Sequence, residues 1–156
     1  MFELDIPGFG AVQLRHLVTD FTGTLSVDGK LFPDADWRLN KVAEFLDLHV
    51  LTADTFGRAR AELASINCLV RILEGDRHDQ QKEAYIRELG ADGVIALGNG
   101  KNDRMMLRAS RIGVAVCLQE GCAADAVLAA DIMVTSTVDA LDLLLNPMRL
   151  KATLRF

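Results

Sequence analysis

Short apolar segments alternate along the chain with segments whose apolar residues recur every three or four positions. The apolar segments are residues 16–19, 48–51, 69–73, 94–97, 112–116 and 132–134. Most of them lack the alternating polar positions of a half-exposed strand, which predicts strands buried on both faces, as in a parallel sheet covered by helices. The alternation of strand and helix therefore predicts an α/β fold built from βαβ connections.

Helix-period segments fill the intervals between the predicted strands. Two stripes are well defined, one through Leu39, Val42, Ala43 and Leu46 and the other through Lys82, Tyr85, Ile86 and Leu89. Further helices are expected near residues 55–65, 102–110, 122–130 and 138–145. Apolar side chains at this spacing share one face of a helix, so these segments are expected to cover both faces of the sheet.

Two segments depart from this rhythm and predict β-hairpins. Residues 1–14 carry a proline and glycines between apolar residues, so an N-terminal hairpin is expected there. Residues 21–32 hold the pair Asp28-Gly29, a strong signal for a tight hairpin turn, which predicts a small flap after the first core strand. The tail, residues 147–156, mixes basic and apolar side chains and is expected to pack on the domain or on a second copy.

Composition narrows the class of protein. The 156 residues are enough for one domain, which we expect to span residues 1–156. Half of the residues are hydrophobic and a quarter are charged, which excludes a mainly disordered chain. The net charge is −5 and no cluster of lysines and arginines occurs, so a nucleic-acid-binding protein is not expected.

The cysteines and the N-terminus bear on the cellular location. Cys68, Cys117 and Cys122 show no CxxC spacing and lie in or beside apolar segments, so we interpret them as small buried hydrophobes in a reducing cytosol rather than as metal or redox groups. The first ten residues lack the basic start and apolar stretch of a signal peptide. No apolar run approaches the ~20 residues of a membrane span, so a soluble cytoplasmic protein without membrane association is expected.

Polar residues cluster directly after three of the predicted strands. Asp20 follows the first strand, Thr52 and Ala53 follow the second, and the segment 98–103, Gly-Asn-Gly-Lys-Asn-Asp, follows the fourth. Ligands of parallel α/β proteins bind beyond the carboxyl ends of the strands, so these clusters are expected to converge on one site. Taken singly, each also fits a turn or a helix cap, because Asp, Asn, Thr and Gly favour both.

Lys82 adds a cation to this inventory. It lies on the apolar stripe of its predicted helix and near the helix start, where the macrodipole disfavours a cation, so a carboxylate or bound anion is its expected partner. The alternative is a lysine whose stem covers an apolar face while its ammonium reaches water. Together the clusters supply what metal-assisted phosphoryl transfer uses: oxygen ligands for Mg²⁺, donors for phosphoryl oxygens and a carboxylate able to attack phosphorus.

Four segments resemble, in order, the motifs of the haloacid dehalogenase (HAD) superfamily. Residues 20–26, Asp-Phe-Thr-Gly-Thr-Leu-Ser, resemble the first motif and are similar to the Asp-Lys-Thr-Gly-Thr-Leu-Thr signature of P-type ATPases. Residues 50–54 resemble the second motif, Lys82 falls where the third-motif lysine is expected, and residues 98–103 resemble the fourth motif, Gly-Asp-Gly-x-Asn-Asp. Four motifs in order are far more specific than one. The resemblance implies a Rossmann-like domain, and the short intervals between the motifs leave no room for a cap domain.

The resemblance also implies roles in catalysis and phosphate binding. Asp20, Thr22 and Lys82 would form the catalytic group, with Asp20 as the nucleophile that becomes an aspartyl-phosphate and Lys82 neutralising its charge. The phosphoryl group would be bound by Thr52, Ala53, Lys82 and Gly23.

The same resemblance implies a magnesium site. Asp20 and the backbone carbonyl of Thr22 would be ligands of Mg²⁺, and Asn99 would sit at the metal. Asp103 would be either a ligand or a neighbour of the ligands, and Asn102 would form a hydrogen bond within the same loop.

Three departures from the family pattern bear on rate and metal affinity. Thr22 stands where soluble HAD phosphatases usually carry a second aspartate as general acid and base, a contribution typically worth ~10²–10⁴-fold in rate. Asn99 replaces a metal-binding aspartate, so the affinity for Mg²⁺ should fall. Phe21 replaces the lysine of the ATPase signature.

We therefore predict a Mg²⁺-dependent HAD-type phosphohydrolase that acts slowly on a phosphorylated substrate, small or macromolecular. The alternative is a catalytically weakened module that binds phosphate or a protein partner. A third idea, a phosphoryl-acceptor domain resembling response regulators, lacks their early acidic pair. Without a cap the site should be open unless neighbouring subunits cover it, so a homo-oligomer is expected.

Overall fold

A computed structural model describes all 156 residues and has a six-stranded parallel sheet at its centre. In spatial order its strands are β10 (Ile132–Val134), β9 (Ile112–Val116), β8 (Val94–Gly98), β3 (His16–Thr19), β6 (Asp47–Thr52) and β7 (Leu69–Ile72). The α/β class predicted from the apolar segments is thereby confirmed. The first core strand in sequence, β3, lies between β6 and β8, so the segments that follow these three strands are neighbours.

Helices cover both faces of this sheet, and the structure gives their bounds. They are α1 (Ala35–Val42), α2 (Ala59–Glu62), α3 (His78–Leu89), α4 (Arg104–Ala109), α5 (Ala124–Ala129), α6 (Thr137–Leu145) and α7 (Pro147–Leu154), with short 3₁₀ helices at Ala91–Gly93 and Lys101–Asp103. Helices α1, α6 and α7 pack in one layer, and α3, α4 and α5 pack in the other. None of these helices is long and apolar enough to cross a bilayer.

Alternating residues of the central strands supply the two cores. On β3, Leu17 belongs to the larger core, whereas Val18 belongs to the smaller core on the opposite face. The same alternation separates Ile95 from Ala96 on β8. This period of two explains why most positions of the central segments are apolar: both faces of each strand are covered.

The edge strand β7 departs from the expected burial on both faces. Its side chains alternate between exposed and half-buried, and 52% of Leu69 is exposed. β7 has a neighbour only on the side of β6, so one of its edges faces solvent.

Two predicted helices are shorter than their apolar spacing indicated. The stripe through Leu46 yields a helix that ends at Val42, because the chain turns there to enter β6 at Asp47. The helix expected over 55–65 contains only Ala59–Glu62.

Two antiparallel hairpins stand outside the central sheet. β1 (Phe2–Ile6) pairs with β2 (Gly10–Leu14), and α7 packs against β1. β4 (Ser26–Val27) pairs with β5 (Lys30–Leu31) to form the flap after the first core strand. Both residues of its Asp28-Gly29 turn have positive φ, as a tight hairpin turn of this kind requires.

Candidate active site

The carboxyl ends of the three central strands bring the first, second and fourth motifs together. Asp20 follows β3, and its backbone amide donates to the carbonyl of Leu97 on β8 at 3.0 Å. Thr52 is the last residue of β6, and Gly98 is the last residue of β8. Adjacent parallel strands in register therefore place these segments at one edge of the sheet, as their sequence positions predicted.

Lys82 joins this cluster from the start of α3. Its ammonium donates to Oδ1 of Asp20 at 3.0 Å and to Oδ1 of Asp103 at 2.7 Å. The side chain is only 1% exposed, so it does not reach water as the alternative interpretation required. The predicted carboxylate partner of Lys82 is thus present twice, in Asp20 and Asp103.

Both carboxylate oxygens of Asp103 accept hydrogen bonds. Its Oδ2 accepts the backbone amides of Asn99 at 3.0 Å and Gly100 at 2.9 Å, while Oδ1 accepts Lys82. A Cβ at Gly98 would lie 2.5 Å from the Cβ of Asp103, so the glycine makes room for this carboxylate. Asp103 therefore fixes both the glycine-rich loop and Lys82, and both of its oxygens are engaged within the protein.

The electrostatics of these three groups are unbalanced. Burial raises the pKa of the Asp20 carboxyl from 3.8 to about 7, an effect that the Lys82 ammonium opposes and the Asp103 carboxylate supports. Burial disfavours the Lys82 ammonium, but the attraction of the two carboxylates outweighs it and raises the pKa of Lys82. When all three groups are ionised, two carboxylates face one ammonium, and the buried cluster has one negative charge in excess.

Thr52 organises the loop after β6. It is buried, and its Oγ1 accepts the backbone amide of Asp54 at 2.9 Å, so its hydroxyl proton remains free to donate. The Asp54 carboxylate in turn accepts the amides of Arg58 and Ala59, both at 2.9 Å, at the start of α2. Asp54 thus caps the turn that leads into the helix, a function that the sequence left open for Thr52.

The backbone donors near Asp20 differ from those expected. The amide of Gly23, predicted to bind phosphate, is used within the protein because it donates to the carbonyl of Ser26 at 2.9 Å. The amides of Thr22 and Ala53 have no acceptor within the protein, and the Thr22 carbonyl accepts no backbone hydrogen bond.

Gly23 has a steric role instead. It adopts φ +80°, and a Cβ there would collide with the amide group of Asn99. Asn99 accepts the Thr24 hydroxyl on Oδ1 at 3.1 Å and donates from Nδ2 to the carbonyl of Gly121 at 3.2 Å. Sequence reasoning missed both partners: Thr24 lies within the first motif but was given no role, and the backbone carbonyl of Gly121 leaves no signal in the sequence.

Two further predicted residues have distinct surroundings. Oγ1 of Thr22 is buried and has no hydrogen-bond partner. Asn102 was expected to form a hydrogen bond within the loop; in the structure its side chain is exposed and forms none, and the loop amides of Asn99 and Gly100 donate to Asp103.

The flap is fastened beside this edge of the sheet. The amide of Asp28 at its tip donates to Oε1 of Glu120 at 2.6 Å, and the amide of Leu31 donates to Oε2 of Glu62 at 2.9 Å. Sequence reasoning did not identify these carboxylates, since their partners are backbone groups. No cluster of three or more His, Cys, Asp or Glu side chains is arranged to hold a metal ion.

The chain was compared with known protein families, with curated proteins and with solved structures. No protein-family model matches the chain. The "Uncharacterized protein MJ0073" of Methanocaldococcus jannaschii is 48% identical over 62 residues, which are 40% of this chain and 67% of that protein.

Solved structures resemble the whole domain. The cobalt-bound deoxy-D-mannose-octulosonate 8-phosphate phosphatase (YrbI) of Haemophilus influenzae has a TM-score of 0.69 and 15% identity, and the alignment covers 85% of this chain and 88% of that chain. The 3-deoxy-D-manno-octulosonate 8-phosphate phosphatase of Moraxella catarrhalis, in complex with magnesium, phosphate and KDO, has a TM-score of 0.65 and 17% identity, with coverage of 91% and 94%.

A third similar structure bears the superfamily's name. BT1666 of Bacteroides thetaiotaomicron, among the phosphatases of the HAD enzyme superfamily, has a TM-score of 0.60 and 13% identity, with coverage of 90% and 96%. At these identities the similarity concerns the fold, and it confirms the fold inferred from the four motifs. The chain belongs to one family with MJ0073 and has the fold of the HAD superfamily, in a form without a cap domain.

Proposed function

We propose that the chain is a Mg²⁺-dependent phosphohydrolase that acts through an aspartyl-phosphate on Asp20 and turns over slowly. The observation that carries this proposal is the position of Lys82, whose ammonium bridges Asp20 and Asp103 at the carboxyl edge of the sheet. A nucleophilic carboxylate needs a neighbouring cation, because a phosphate dianion would otherwise repel it.

The reaction has two displacements. In the first, a carboxylate oxygen of Asp20 attacks phosphorus, the bond from phosphorus to the leaving oxygen breaks, and the leaving group departs as an anion or takes a proton from water. In the second, water attacks the same phosphorus, the bond to Asp20 breaks, and inorganic phosphate leaves as the lost proton passes to solvent. Lys82, the hydroxyl of Thr52 and the free amides of Thr22 and Ala53 would hold the phosphoryl oxygens.

The residues fit a hard divalent cation. The buried cluster has one negative charge in excess, and the neighbouring ligands are oxygens: the carboxylate of Asp20, the carbonyl of Thr22 and Oδ1 of Asn99. Bound Mg²⁺ would neutralise charge on the phosphoryl group. Asp103 would support this site without binding the metal, because its oxygens accept three donors. With one carboxylate ligand, Mg²⁺ affinity should be weak.

Thr22 is the reason that we expect turnover to be slow. Its Oγ1 lies buried without a partner at the position that would hold a general acid and base. A threonine hydroxyl does not give up its proton readily near neutral pH. Leaving groups that need no protonation, such as acyl phosphates, would therefore be the best substrates, and the second displacement would be the slower one.

A second candidate function is a module that binds phosphate or a protein partner with little catalysis. The side chain of Asn99 favours it, because Oδ1 and Nδ2 are both engaged by protein groups, Thr24 and Gly121. We rank it second because a binding module has no need of the nucleophile Asp20. The cytoplasmic location and the homo-oligomer also stay predictions.

The experiment is a screen of acyl phosphates and phosphorylated metabolites with Mg²⁺, run beside the Asp20→Asn protein. Wild type should hydrolyse acetyl phosphate, and Asp20→Asn should lose this activity while keeping its circular dichroism spectrum, because an amide does not attack phosphorus. Equal hydrolysis by the two proteins would show that Asp20 is not the nucleophile. Phosphate binding without any hydrolysis in wild type would favour the binding module.

A further inference from the structure

A shallow groove of about 570 Å³ lies between the start of α3 and the second 3₁₀ helix. Its walls are residues 75–79, which lead into α3, and Lys101, Asn102 and Arg104, which lie around the second 3₁₀ helix; none of the lining side chains is hydrophobic. Asn102 directly precedes Asp103, and Lys82 lies one helical turn beyond His78. Two of the groove's walls therefore lead directly, along the chain, into the Lys82–Asp103 ion pair at the carboxyl edge of the sheet.

The groove is basic in a chain that is acidic overall. It contains the cations Arg77, Lys101 and Arg104 and the anions Asp76 and Asp79, so its lining has one positive charge in excess, whereas the whole chain has a net charge of −5. A local field of the opposite sign to the net charge attracts and orients an anion.

Arg104 holds the two walls together. It donates to Asp79 at 3.1 Å and to the carbonyl of Lys101 at 2.8 Å. Arg104 is thereby used within the protein and shapes the groove.

Arg77 and Lys101 have unused donors. The guanidinium of Arg77 makes no hydrogen bond within the protein, and its Nε lies 3.8 Å from Asp79. The Lys101 ammonium is 3.5 Å from the half-exposed Asp125 and also makes no hydrogen bond. His78 lines the same groove, and its Nε2 is buried without a partner. These groups can bind an anion without first losing a strong contact.

We propose that this groove binds a second anionic group of the substrate, so that the substrate class is phosphate compounds whose leaving group carries a carboxylate or a further phosphoryl group. Arg77 and Lys101 are the recognition residues. This inference rests on the proposed function, since the phosphoryl group to be transferred must occupy the neighbouring Asp20 site. With no cap domain to contact the leaving group, recognition falls to the residues at the rim of the sheet.

The experiment measures binding without turnover. Dissociation constants are determined by calorimetry with the Asp20→Asn protein and Mg²⁺ for two matched pairs: 3-phosphoglycerate against glycerol 3-phosphate, and fructose 1,6-bisphosphate against fructose 6-phosphate. The first pair tests a carboxylate and the second a phosphoryl group. In at least one pair the compound with the additional anion should bind about tenfold more tightly, as one charge-assisted hydrogen bond provides.

Substitutions locate the effect. Arg77→Gln and Lys101→Gln, each added to Asp20→Asn, should reduce the preference within the pair by about threefold, the size of an exposed ion pair. Arg155→Gln is the control, because it removes an exposed positive charge away from the groove. Its neighbour Phe156 donates a backbone hydrogen bond to Pro7 in the N-terminal hairpin. This substitution should leave the preference within each pair unchanged.

Equal binding within both pairs, absence of binding by all four compounds, or a preference that Arg77→Gln and Lys101→Gln leave intact would overturn the proposal. Hydrolysis of acetyl phosphate by the wild type is measured separately. Its absence would count against the phosphohydrolase alone, whereas hydrolysis together with equal binding within both pairs would count against the groove alone.

Discussion

The ammonium of Lys82 donates to Oδ1 of Asp20 at 3.0 Å, although the two residues are 62 positions apart in sequence. Lys82 is 1% exposed and Asp20 is 7% exposed, so water contributes little to the stabilisation of either charge. The bond therefore links the stability of the fold to the chemistry of the site, because the cation that would bind a phosphate also opposes the rise in the pKa of the Asp20 carboxyl that burial causes.

Replacing Lys82 tests this link. Lys82→Met leaves the carboxylates of Asp20 and Asp103 buried and unpaired, so the free energy of unfolding at pH 8 should fall by about 3–5 kcal/mol. The loss should be smaller at pH 5, where protonation of the Asp20 carboxyl, whose pKa is raised to about 7, removes the repulsion. Urea denaturation measures both values. Lys41→Met, which changes an exposed lysine on α1, should alter the free energy by less than about 0.5 kcal/mol at either pH; equal losses in the two variants would contradict the assignment.

The raised pKa of Asp20 predicts a pH dependence of the reaction. The nucleophile must be ionised, and its pKa in the metal-free protein is about 7. At low Mg²⁺ the rate of acetyl phosphate hydrolysis should therefore fall as the pH drops below about 7. At saturating Mg²⁺ this fall in rate should begin at a lower pH, because a bound cation stabilises the ionised carboxylate of Asp20. Rates measured from pH 5 to 8.5 at both Mg²⁺ concentrations give this shift. If the pH at which the rate falls does not depend on Mg²⁺, a metal does not bind at Asp20.

Asn99→Asp should tighten Mg²⁺ binding by adding a second carboxylate ligand. The same change removes the hydrogen bond from Nδ2 to the carbonyl of Gly121, so the metal-free variant should be less stable by about 1 kcal/mol. Calorimetry and thermal melts with and without Mg²⁺ separate the two effects. Asn102→Asp is the control, because that side chain is exposed and forms no hydrogen bond in the loop. Unchanged Mg²⁺ affinity in Asn99→Asp would place the metal elsewhere.

Thr22→Asp should restore the missing general acid and base. The hydroxyl it replaces has no partner, so the substitution breaks no hydrogen bond. Hydrolysis of the aspartyl-phosphate should accelerate within the ~10²–10⁴-fold range of such catalysis, with the largest gains for alkyl phosphates. Wild type should accumulate phosphoenzyme with acetyl phosphate, which acid quenching detects, and Thr22→Asp should not. If wild type forms no phosphoenzyme and the variant is no faster on any phosphomonoester, the binding module becomes the better account.

A histidine pair on neighbouring strands predicts a pH dependence of stability. Nε2 of His49 lies 3.1 Å from Nδ1 of His16, and Nδ1 of His49 lies 2.9 Å from the hydroxyl of Tyr85. Burial, and then repulsion from His16, lower the pKa of His49 below 6.5. The unfolded chain therefore binds the proton more readily. The contribution of His49 to stability is complete above pH 6.5 and is lost as the pH falls through 6.5 towards the pKa of the folded state.

Chemical denaturation between pH 8 and pH 5 checks this expectation. The free energy of unfolding should fall less steeply with pH in His49→Gln than in wild type. A wild-type slope in His49→Gln would assign the pH dependence to other groups.

The amino-acid sequence alone was enough to predict the α/β class, the residues of the central strands and the residues at their carboxyl ends. Strand segments such as 94–97 could be predicted because a strand that is buried on both faces has no polar residues, and this pattern is a local property of the chain. The inward direction of Lys82 could also be predicted locally, because residues three and four positions apart share one face of a helix. Four motifs in order then placed Asp20, Thr52 and the loop 98–103 at one edge.

The hydrogen-bond partners of these residues, in contrast, are visible only in the folded chain. The Gly23 amide donates to the carbonyl of Ser26. The two oxygens of Asp103 accept hydrogen bonds from Lys82 and two loop amides. The side chain of Asn99 forms hydrogen bonds with Thr24 and Gly121. The basic groove likewise arises where the start of α3 meets the second 3₁₀ helix. These partners are backbone groups or side chains from distant segments, and a hydrogen bond depends on distance and angle, which the order of residues along the chain does not contain.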